Sequence, residues 1–408
     1  MEQKKKRLFT AFAVASFAVF FAFALYFNAF GVNATLMMEF FSITEPQQGL
    51  ILTIQAIGGI LISVFLALFG ERYNKINTIL IGGAMMAVCS LLIGLVPSFF
   101  APGSGYLFTL AVVFFAGIGY TIVDLMMNGA ISDVYPQKKT TYIPFIHAFF
   151  GFGAMATPTL VALLVRPENS GSFSIPFLLF GALAAVGTLL YAVIGKKIQP
   201  MTPYANMQQQ RAQAIANPGE IFRDKRAWLI LLIAFLYFAF LCGISSWLST
   251  YCQKVLGVDY KTASLFQTLF FVGALVMRFT SPLFLKWLGT VKFFIIAALS
   301  AAACFFIVFF VKQPVLMYVI TPVGGFLQGG LVASIILLAT DAFPTRSASA
   351  SSLMVISTSA ASLVVPLIMG AIARASGSFS LPMLLITACL ALSGILVFCT
   401  MRKKADER

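Results

Sequence analysis

The chain has 408 residues, of which 60% are hydrophobic and only 10% are charged, and its mean hydropathy is +0.96. A soluble domain carries about 25% charged residues, so this composition excludes a soluble fold. The formal net charge of +14 would suit either a nucleic-acid partner or a membrane surface, and the positions of the basic residues decide between these two.

Twelve stretches of the sequence are apolar over about 20 residues, the length that a helix needs to cross a bilayer. They are residues 8–30, 48–70, 77–97, 105–132, 142–164, 174–195, 227–250, 261–285, 292–311, 315–340, 348–370 and 379–400. We therefore predict an all-α membrane protein with twelve transmembrane helices. Little of the chain is left for a catalytic domain, so we predict that the protein is not an enzyme.

The basic residues are distributed asymmetrically between the predicted loops. If both termini are cytoplasmic, most of the 27 Lys and Arg lie on the cytoplasmic side. This distribution obeys the positive-inside rule, so the basic excess indicates topology and attraction to anionic lipid headgroups rather than a nucleic-acid partner. The short external loops are typical of a bacterial inner (plasma) membrane protein, and we expect it to be monomeric.

The first predicted helix follows a basic KKKR segment, but its apolar run is too long for a signal peptide and predicts an uncleaved helix. Near its outer end Asn33 could line a solute pathway or bond to a neighbouring helix. Gln55 is a similar polar group in helix two. The six cysteines form no CxxC pair and no nucleotide-binding loop is recognisable, so we predict neither a metal site nor a cofactor.

The loop after helix two reads ALFGERYNK, from Ala67 to Lys75. It resembles the cytoplasmic loop signature of the major facilitator superfamily, which runs small residue, x, apolar, x, acid, Arg, x, Gly, basic, basic. The residues that fit are Phe69, Glu71, Arg72 and Lys75, whereas the positions that depart from the signature are Ala67, Asn74 and Ile76. The resemblance implies that the acid and basic groups latch one conformation of two helical halves, the alternative being a solvated turn.

Helix four carries a polar stripe in an apolar sequence. Tyr120, Thr121, Asp124 and Asn128 are spaced three or four residues apart, so on a helix they share one face. A carboxylate at mid-membrane depth costs about 2.5–3.5 kcal/mol, which favours a position facing a bundle interior or a water-filled cavity. The stripe predicts a polar cavity, in which Asp124 could bind a proton from one side and release it to the other.

Helix five, IPFIHAFFGFGAMATP, contains the single histidine of the chain, His147. A histidine titrates near neutral pH and could share a proton with Asp124, although a lone histidine on a packed helix often only bonds to a carbonyl. Residues 196–226 then form the only long polar segment. We predict that this segment is a cytoplasmic linker with a surface helix around 204–216.

The two halves of the chain share an internal repeat at an offset of 208 residues. The segments SDVYP, at 132–136, and TDAFP, at 340–344, occupy equivalent positions at the ends of helices four and ten. This repeat predicts two pseudo-symmetric six-helix bundles, residues 1–195 and 227–408, with the solute site at mid-membrane. Three further candidates for the latch lie in or just after these segments: Asp133, Asp341 and Arg346.

The second half offers fewer polar groups within its spans. Gln267 lies in helix eight and Gln328 in helix ten, while Arg278 in helix eight could face a cavity or extend toward the cytoplasmic headgroups. Three tryptophans near predicted span ends are interpreted as interface anchors: Trp228, Trp247 and Trp287.

The order Asp124-x-x-x-Asn128, then His147 and a Gly-containing helix that ends in Pro158, is similar to helices four and five of the fucose/proton symporter branch of the superfamily. Some sodium-linked glucose carriers resembling that branch share the HxFFGxGA pattern. The resemblance implies that Asp124 is the coupling acid and that polar groups line the sugar site. It implies Asn128, Gln267 and Gln328 as solute-binding residues, and Asn33, Gln55 and Tyr120 are further candidates from their own positions in the predicted helices.

One departure limits this resemblance, because Asn33 is followed by Ala34 where the fucose symporters have an aspartate. A two-acid coupling scheme therefore does not carry over. The leading hypothesis is proton-coupled transport of a small polar solute, such as a monosaccharide, by alternating access, with sodium as the other possible coupling ion. The alternatives are efflux or flipping of an amphipathic compound and a transport-inactive membrane sensor.

Overall fold

A computed structural model describes residues 2–69, 73–135, 138–198, 222–343 and 347–405. Within these ranges the chain forms helices and no strand. The helices are α1 (Glu2–Val32), α2 (Ala34–Phe41), α3 (Glu45–Phe69), α4 (Lys75–Gly94), α5 (Val96–Phe99), α6 (Tyr106–Val134), α7 (Lys139–Leu164), α8 (Ser174–Ile198), α9 (Lys225–Lys254), α10 (Tyr260–Leu288), α11 (Thr290–Val311), α12 (Pro314–Gly329), α13 (Leu331–Ala342), α14 (Ser347–Ser376) and α15 (Ser380–Ala405). A short 3₁₀ turn, Ser170–Phe173, precedes α8.

The described residues contain 12 helical segments that are long and apolar enough to cross a membrane, which confirms the predicted all-α membrane fold. The tenth span is interrupted, because α12 ends at Gly329 and α13 begins at Leu331. Two adjacent glycines at the break have low helix propensity and let the backbone approach its neighbours, Ala274 and Phe293. The surface helix predicted around 204–216 lies outside the described residues.

The contacts of the chain define two compact units. The first contains residues 1–43 and 54–216, and the second contains 44–53 and 217–408. Segment 44–53, which includes the start of α3, belongs to the second unit, and Thr53 Oγ1 donates a hydrogen bond to the Leu363 carbonyl oxygen of that unit at 2.7 Å. The bundle boundaries expected at 195 and 227 stay a prediction.

Each unit contains a closely packed pair of helices at equivalent places. A Cβ at Gly117 in α6 would overlap the carbonyl oxygen of Gln55 in α3, and a Cβ at Gly325 in α12 would overlap that of Phe270 in α10. Glycine is therefore required at both positions for the backbones to approach this closely. Gly117 and Gly325 are also 208 residues apart, so this packing occurs at equivalent positions of the sequence repeat.

The three tryptophans differ in their surroundings. Trp228 is 59% exposed and Trp287 is 80% exposed, as an interfacial position requires. Trp247 is only 1% exposed, and its Nε1–H donates to the carbonyl oxygen of Pro366 at 3.1 Å. The prediction of an interface anchor was wrong for Trp247, because α14 and the ring of Phe379 cover its side chain.

Candidate functional site

The polar stripe of α6 meets the histidine of α7 in the first unit. Asn128 lies one turn after Asp124, and its Nδ2 donates a hydrogen bond to the Asp124 carbonyl oxygen at 2.8 Å. His147 Nε2 lies 3.2 Å from Asn128 Oδ1, and its ring is within electrostatic range of the Asp124 carboxyl group. An acid, an amide and an imidazole from two helices therefore form one polar cluster.

The hydrogen bonds of Asn128 determine which nitrogen of His147 carries a hydrogen. Because the amide nitrogen of Asn128 donates to a carbonyl, its Oδ1 faces His147 and can only accept. Nε2–H of the neutral imidazole is therefore the donor, and the ring gains its second proton at Nδ1. The His147 side chain is exposed on the protein surface, whereas Asp124 is half-buried.

Aromatic rings of α1 form a wall behind this cluster. Tyr120, one turn before Asp124 on α6, is stacked on Phe23 at a centroid distance of 3.9 Å and on Phe27 at 4.9 Å. The ring of Phe20 lies edge-on to His147 at 5.7 Å. Apolar walls lower the local dielectric and so strengthen the electrostatic interactions of the polar groups they surround.

The second unit holds a separate polar group of three side chains. The Tyr237 hydroxyl of α9 donates to Gln328 Oε1 of α12 at 2.9 Å, and both side chains are buried. Arg278 of α10 interacts electrostatically with Tyr237. Gln328 and Arg278 therefore share Tyr237 as a neighbour. No motif or spacing in the sequence marks Tyr237 as a site residue.

The remaining predicted solute-binding residues have different environments. Asn33 is buried at the junction of α1 and α2. Gln55 is 4% exposed, and neither of its amide atoms has a hydrogen-bond partner among the described residues. Gln267 uses its Nε2 to donate to the Ser245 carbonyl oxygen at 3.1 Å, which ties α10 to α9. Among these three residues Gln55 alone offers both a donor and an acceptor.

Two of the residues predicted for the latch form an ion pair. Lys75, at the start of α4, forms a buried ion pair with Asp133 at the end of α6, with Nζ to Oδ2 at 2.7 Å. Asp341, the repeat equivalent of Asp133, is exposed and forms no ion pair with a described residue. The other three members lie outside the described residues: Glu71, Arg72 and Arg346.

No group of three or more His, Cys, Asp or Glu in the described ranges could hold a metal ion. The membrane spans form two helical units, and an acid, an amide and an imidazole lie at membrane depth. These features define a polytopic membrane transporter. The sequence profile of the Major Facilitator Superfamily matches residues 15–321, and the chain belongs to this superfamily. It is an integral membrane transporter and not an enzyme.

Other proteins are similar to this chain in sequence or in fold. YfkL of Bacillus subtilis, an uncharacterized MFS-type transporter, is 23% identical over 368 residues, 87% of this chain and 89% of YfkL. Sodium-dependent glucose transporter 1A of Mus musculus is 25% identical over 285 residues, 63% of this chain and 65% of that protein. The structure of a D-xylose-proton symporter is similar at a TM-score of 0.74 and 15% identity, covering 95% of this chain and 97% of that one.

Proposed function

We propose that this transporter moves a monosaccharide across the membrane together with protons, by alternating access of its two helical units. The observation that carries the proposal is the cluster of Asp124, Asn128 and His147. A carboxyl group at membrane depth is expensive to maintain, and a neighbouring exposed imidazole gives it a route for proton exchange. A proton that crosses 100 mV supplies about 2.3 kcal/mol, sufficient to concentrate a solute several tens of times.

In this mechanism Asp124 accepts a proton when water enters from the side of high proton concentration. Nδ1 of His147 passes the proton on, while its Nε2–H stays on Asn128 and keeps the ring oriented. The neutral Asp124 then permits the change of access, because a protonated acid needs less hydration than a carboxylate. The charge returns when the cluster faces the other side.

Two observations support a sugar as the solute. Relatives of this chain include a glucose transporter and a xylose symporter by their names. In addition, the buried amide of Gln55 has both a donor and an acceptor unused by described residues, as binding to a hydroxyl group requires. Tyr120, Asn128, Gln267 and Gln328 complete the proposed solute-binding set, together with Asn33.

We further propose that both termini are cytoplasmic, in a bacterial inner membrane, and that the protein is monomeric. In this orientation the Lys75–Asp133 ion pair lies at the cytoplasmic ends of α4 and α6. It would act there as part of the latch, with Glu71, Arg72 and Arg346. Asp341, which forms no ion pair with a described residue, is the proposed latch residue of the second unit.

The test is uptake of labelled monosaccharides into proteoliposomes that contain the purified full-length protein. A proton gradient is imposed in one series and a sodium gradient in another, with no gradient as the reference. Accumulation of a sugar only under the proton gradient is the expected result. Accumulation only under the sodium gradient would overturn proton coupling. No accumulation of any sugar under either gradient would overturn the sugar assignment.

Asp124→Asn should separate coupling from binding. The amide cannot carry a proton, so we expect accumulation driven by the proton gradient to be lost while exchange of labelled for unlabelled sugar continues. Glu168→Gln, which removes a carboxyl group from an exposed loop residue, is the matched control and should leave both activities unchanged. Normal proton-driven accumulation by Asp124→Asn would exclude the coupling role.

A further inference from the structure

Arg278 lies deep within a membrane-spanning helix. It is ten residues before the end of α10 at Leu288, which corresponds to about 15 Å along the helix axis. A guanidinium does not lose its charge in proteins, so within a span it must face a protein interior or water, or extend toward the headgroups. The side of α10 on which Arg278 lies therefore indicates what its side chain can contact.

One side of α10 has the exposed apolar surface of a lipid-facing helix. Its residues are between 41% and 80% exposed: Leu265, Val276, Phe279, Leu283 and Trp287. At 100° per residue, Arg278 is about 140° away from Leu283 around the helix axis. It shares its side with Gln267 and Phe271, which are buried against the protein. Arg278 thus lies on the protein-facing side, where it is itself exposed.

The acids of the second unit do not neutralise this cation. Among the residues that the structure describes, Glu45 pairs with Lys254 at 2.8 Å and Asp224 pairs with Arg226 at 2.7 Å. Asp259 caps the start of α10 through the backbone N–H of Lys261 and Thr262, and Asp341 is exposed at the end of α13. The guanidinium of Arg278 forms no ion pair with any of these four carboxyl groups.

The neighbours of Arg278 are arranged to keep its donors available. Tyr237 interacts with it electrostatically, but the Tyr237 hydroxyl hydrogen is already donated to Gln328 Oε1. The hydroxyl oxygen is then an acceptor that favours a nearby cation without neutralising it. A planar guanidinium with unused N–H groups binds carboxylates through two parallel hydrogen bonds.

We propose that Arg278, supported by Tyr237 and Gln328, binds an anionic group of the transported solute, so that the preferred substrate is a sugar acid rather than a neutral sugar. This inference rests on the proposed transport function and specifies its substrate class. The carboxylate of the sugar acid supplies the negative charge that the described acids do not supply to Arg278. The hydroxyl groups of the sugar form hydrogen bonds with the side-chain amides of the proposed solute-binding set.

The experiment compares pairs of ligands that differ only at C6. Binding of glucose and glucuronate, and of galactose and galacturonate, is measured by calorimetry on the full-length protein in detergent. The wild type should bind one of the two acids at least about tenfold more tightly than the corresponding neutral sugar. Equal affinity within both pairs, or preference for the neutral sugar, would overturn the inference.

The variants assign the preference to Arg278. Arg278→Gln should remove the advantage of the acid and leave the weak binding of the neutral sugar unchanged, while Arg278→Lys keeps the charge and should retain part of the advantage. Lys286→Gln removes a positive charge from an exposed residue of the same helix and should change nothing. If Arg278→Gln does not fold, Tyr237→Phe provides the second measurement, with a smaller loss for the acid alone.

Failure of this inference can be distinguished from failure of the proposed function. Proton-driven accumulation of a neutral sugar, without binding of either acid, would overturn the role of Arg278 and leave the transport proposal intact. Binding of a simple carboxylate such as lactate, lost in Arg278→Gln but with no sugar bound by the wild type, would support the anion site and overturn the sugar. An unchanged preference for the acid in Arg278→Gln would overturn the anion site.

Discussion

Both polar atoms of the Asn128 side chain form hydrogen bonds, and these bonds determine the geometry of the candidate proton site. Its amide nitrogen bonds to the Asp124 carbonyl oxygen and its oxygen receives Nε2–H of His147. A single residue thus connects an acid on its own helix with an imidazole on the next. Leucine at position 128 would keep the helix and lose both connections.

His147→Gln should flatten the pH dependence of proton-driven uptake between about pH 5 and 8, the range in which histidine titrates. Glutamine can still donate a hydrogen bond to Asn128, but it carries no exchangeable charge. We expect uptake to persist at a lower rate, measured as initial velocity in proteoliposomes over a pH series. His147→Leu, which also loses the hydrogen bond, should be less active than His147→Gln; an unaltered pH profile in both would exclude a role in proton exchange.

At the scale of elements, the helices are held by a few polar contacts among many apolar ones. The Lys75–Asp133 pair joins the start of α4 to the end of α6, and both side chains are at least nine-tenths buried. Asp341, the repeat equivalent of Asp133, lies at the end of the α13 segment next to Ala342 and forms no ion pair with any described residue. The buried ion pair of the first unit therefore has no counterpart at Asp341 in the described part of the second.

Removing one partner of the buried pair should destabilise the protein strongly. Lys75→Met or Asp133→Leu leaves an uncompensated buried charge, which costs about 3–5 kcal/mol, whereas the double variant should recover most of the loss. The measurement is the apparent melting temperature in detergent. Arg226→Met breaks the more exposed pair with Asp224 and should cost at most about 1 kcal/mol. Equal losses for the two single changes and the double variant would contradict this prediction.

Asp259 stabilises the start of α10 as an N-terminal cap. Its carboxylate accepts hydrogen bonds from the Thr262 side chain and from the backbone N–H of Lys261 and Thr262, and these bonds hold the pKa of Asp259 below its ordinary value. A folded-state pKa below the unfolded one means that the stabilisation is present above about pH 4 and is lost as the pH falls through the lowered pKa.

Asp259→Ala should therefore lower the free energy of unfolding by about 1 kcal/mol at pH 7. Asp259→Asn retains a capping oxygen without a titratable group. Melting temperatures of the wild type and Asp259→Asn should converge as the pH falls below about 4 and then through the lowered pKa of the folded state. A constant difference between them at all pH values would show that the charge of Asp259 does not contribute.

At the scale of the whole molecule, two units with equivalent close helix contacts form one transporter. Gly117→Ala and Gly325→Ala each place a Cβ onto a neighbouring backbone carbonyl, so both should lower the yield of folded protein in membranes and its melting temperature. Gly187→Ala is the control, since its nearest neighbour would be at 3.6 Å, an ordinary van der Waals contact. Tolerance of both changes would mean that the helices can separate without cost.

Hydropathy and residue spacing alone predicted the all-α fold, the twelve spans and the polar stripe of Asp124 and Asn128. These properties are local, because each transmembrane helix satisfies its own backbone in the bilayer and residues four apart share one face. The same locality explains why the break at Gly329 was missed. Adjacent glycines weaken a helix locally. The residues that the backbone approaches at this break belong to other helices, and the local sequence does not show them.

Only the tertiary structure decided which side chains meet across helices. His147 bonds to Asn128 across 19 residues of sequence, Asp133 to Lys75 across 58, and Gln328 to Tyr237 across 91. It also placed Trp247 inside the protein and Arg278 away from the lipid-facing side of α10. Such contacts depend on how helices rotate and pack against each other, and in an almost uniformly apolar sequence the hydropathy pattern does not specify that rotation.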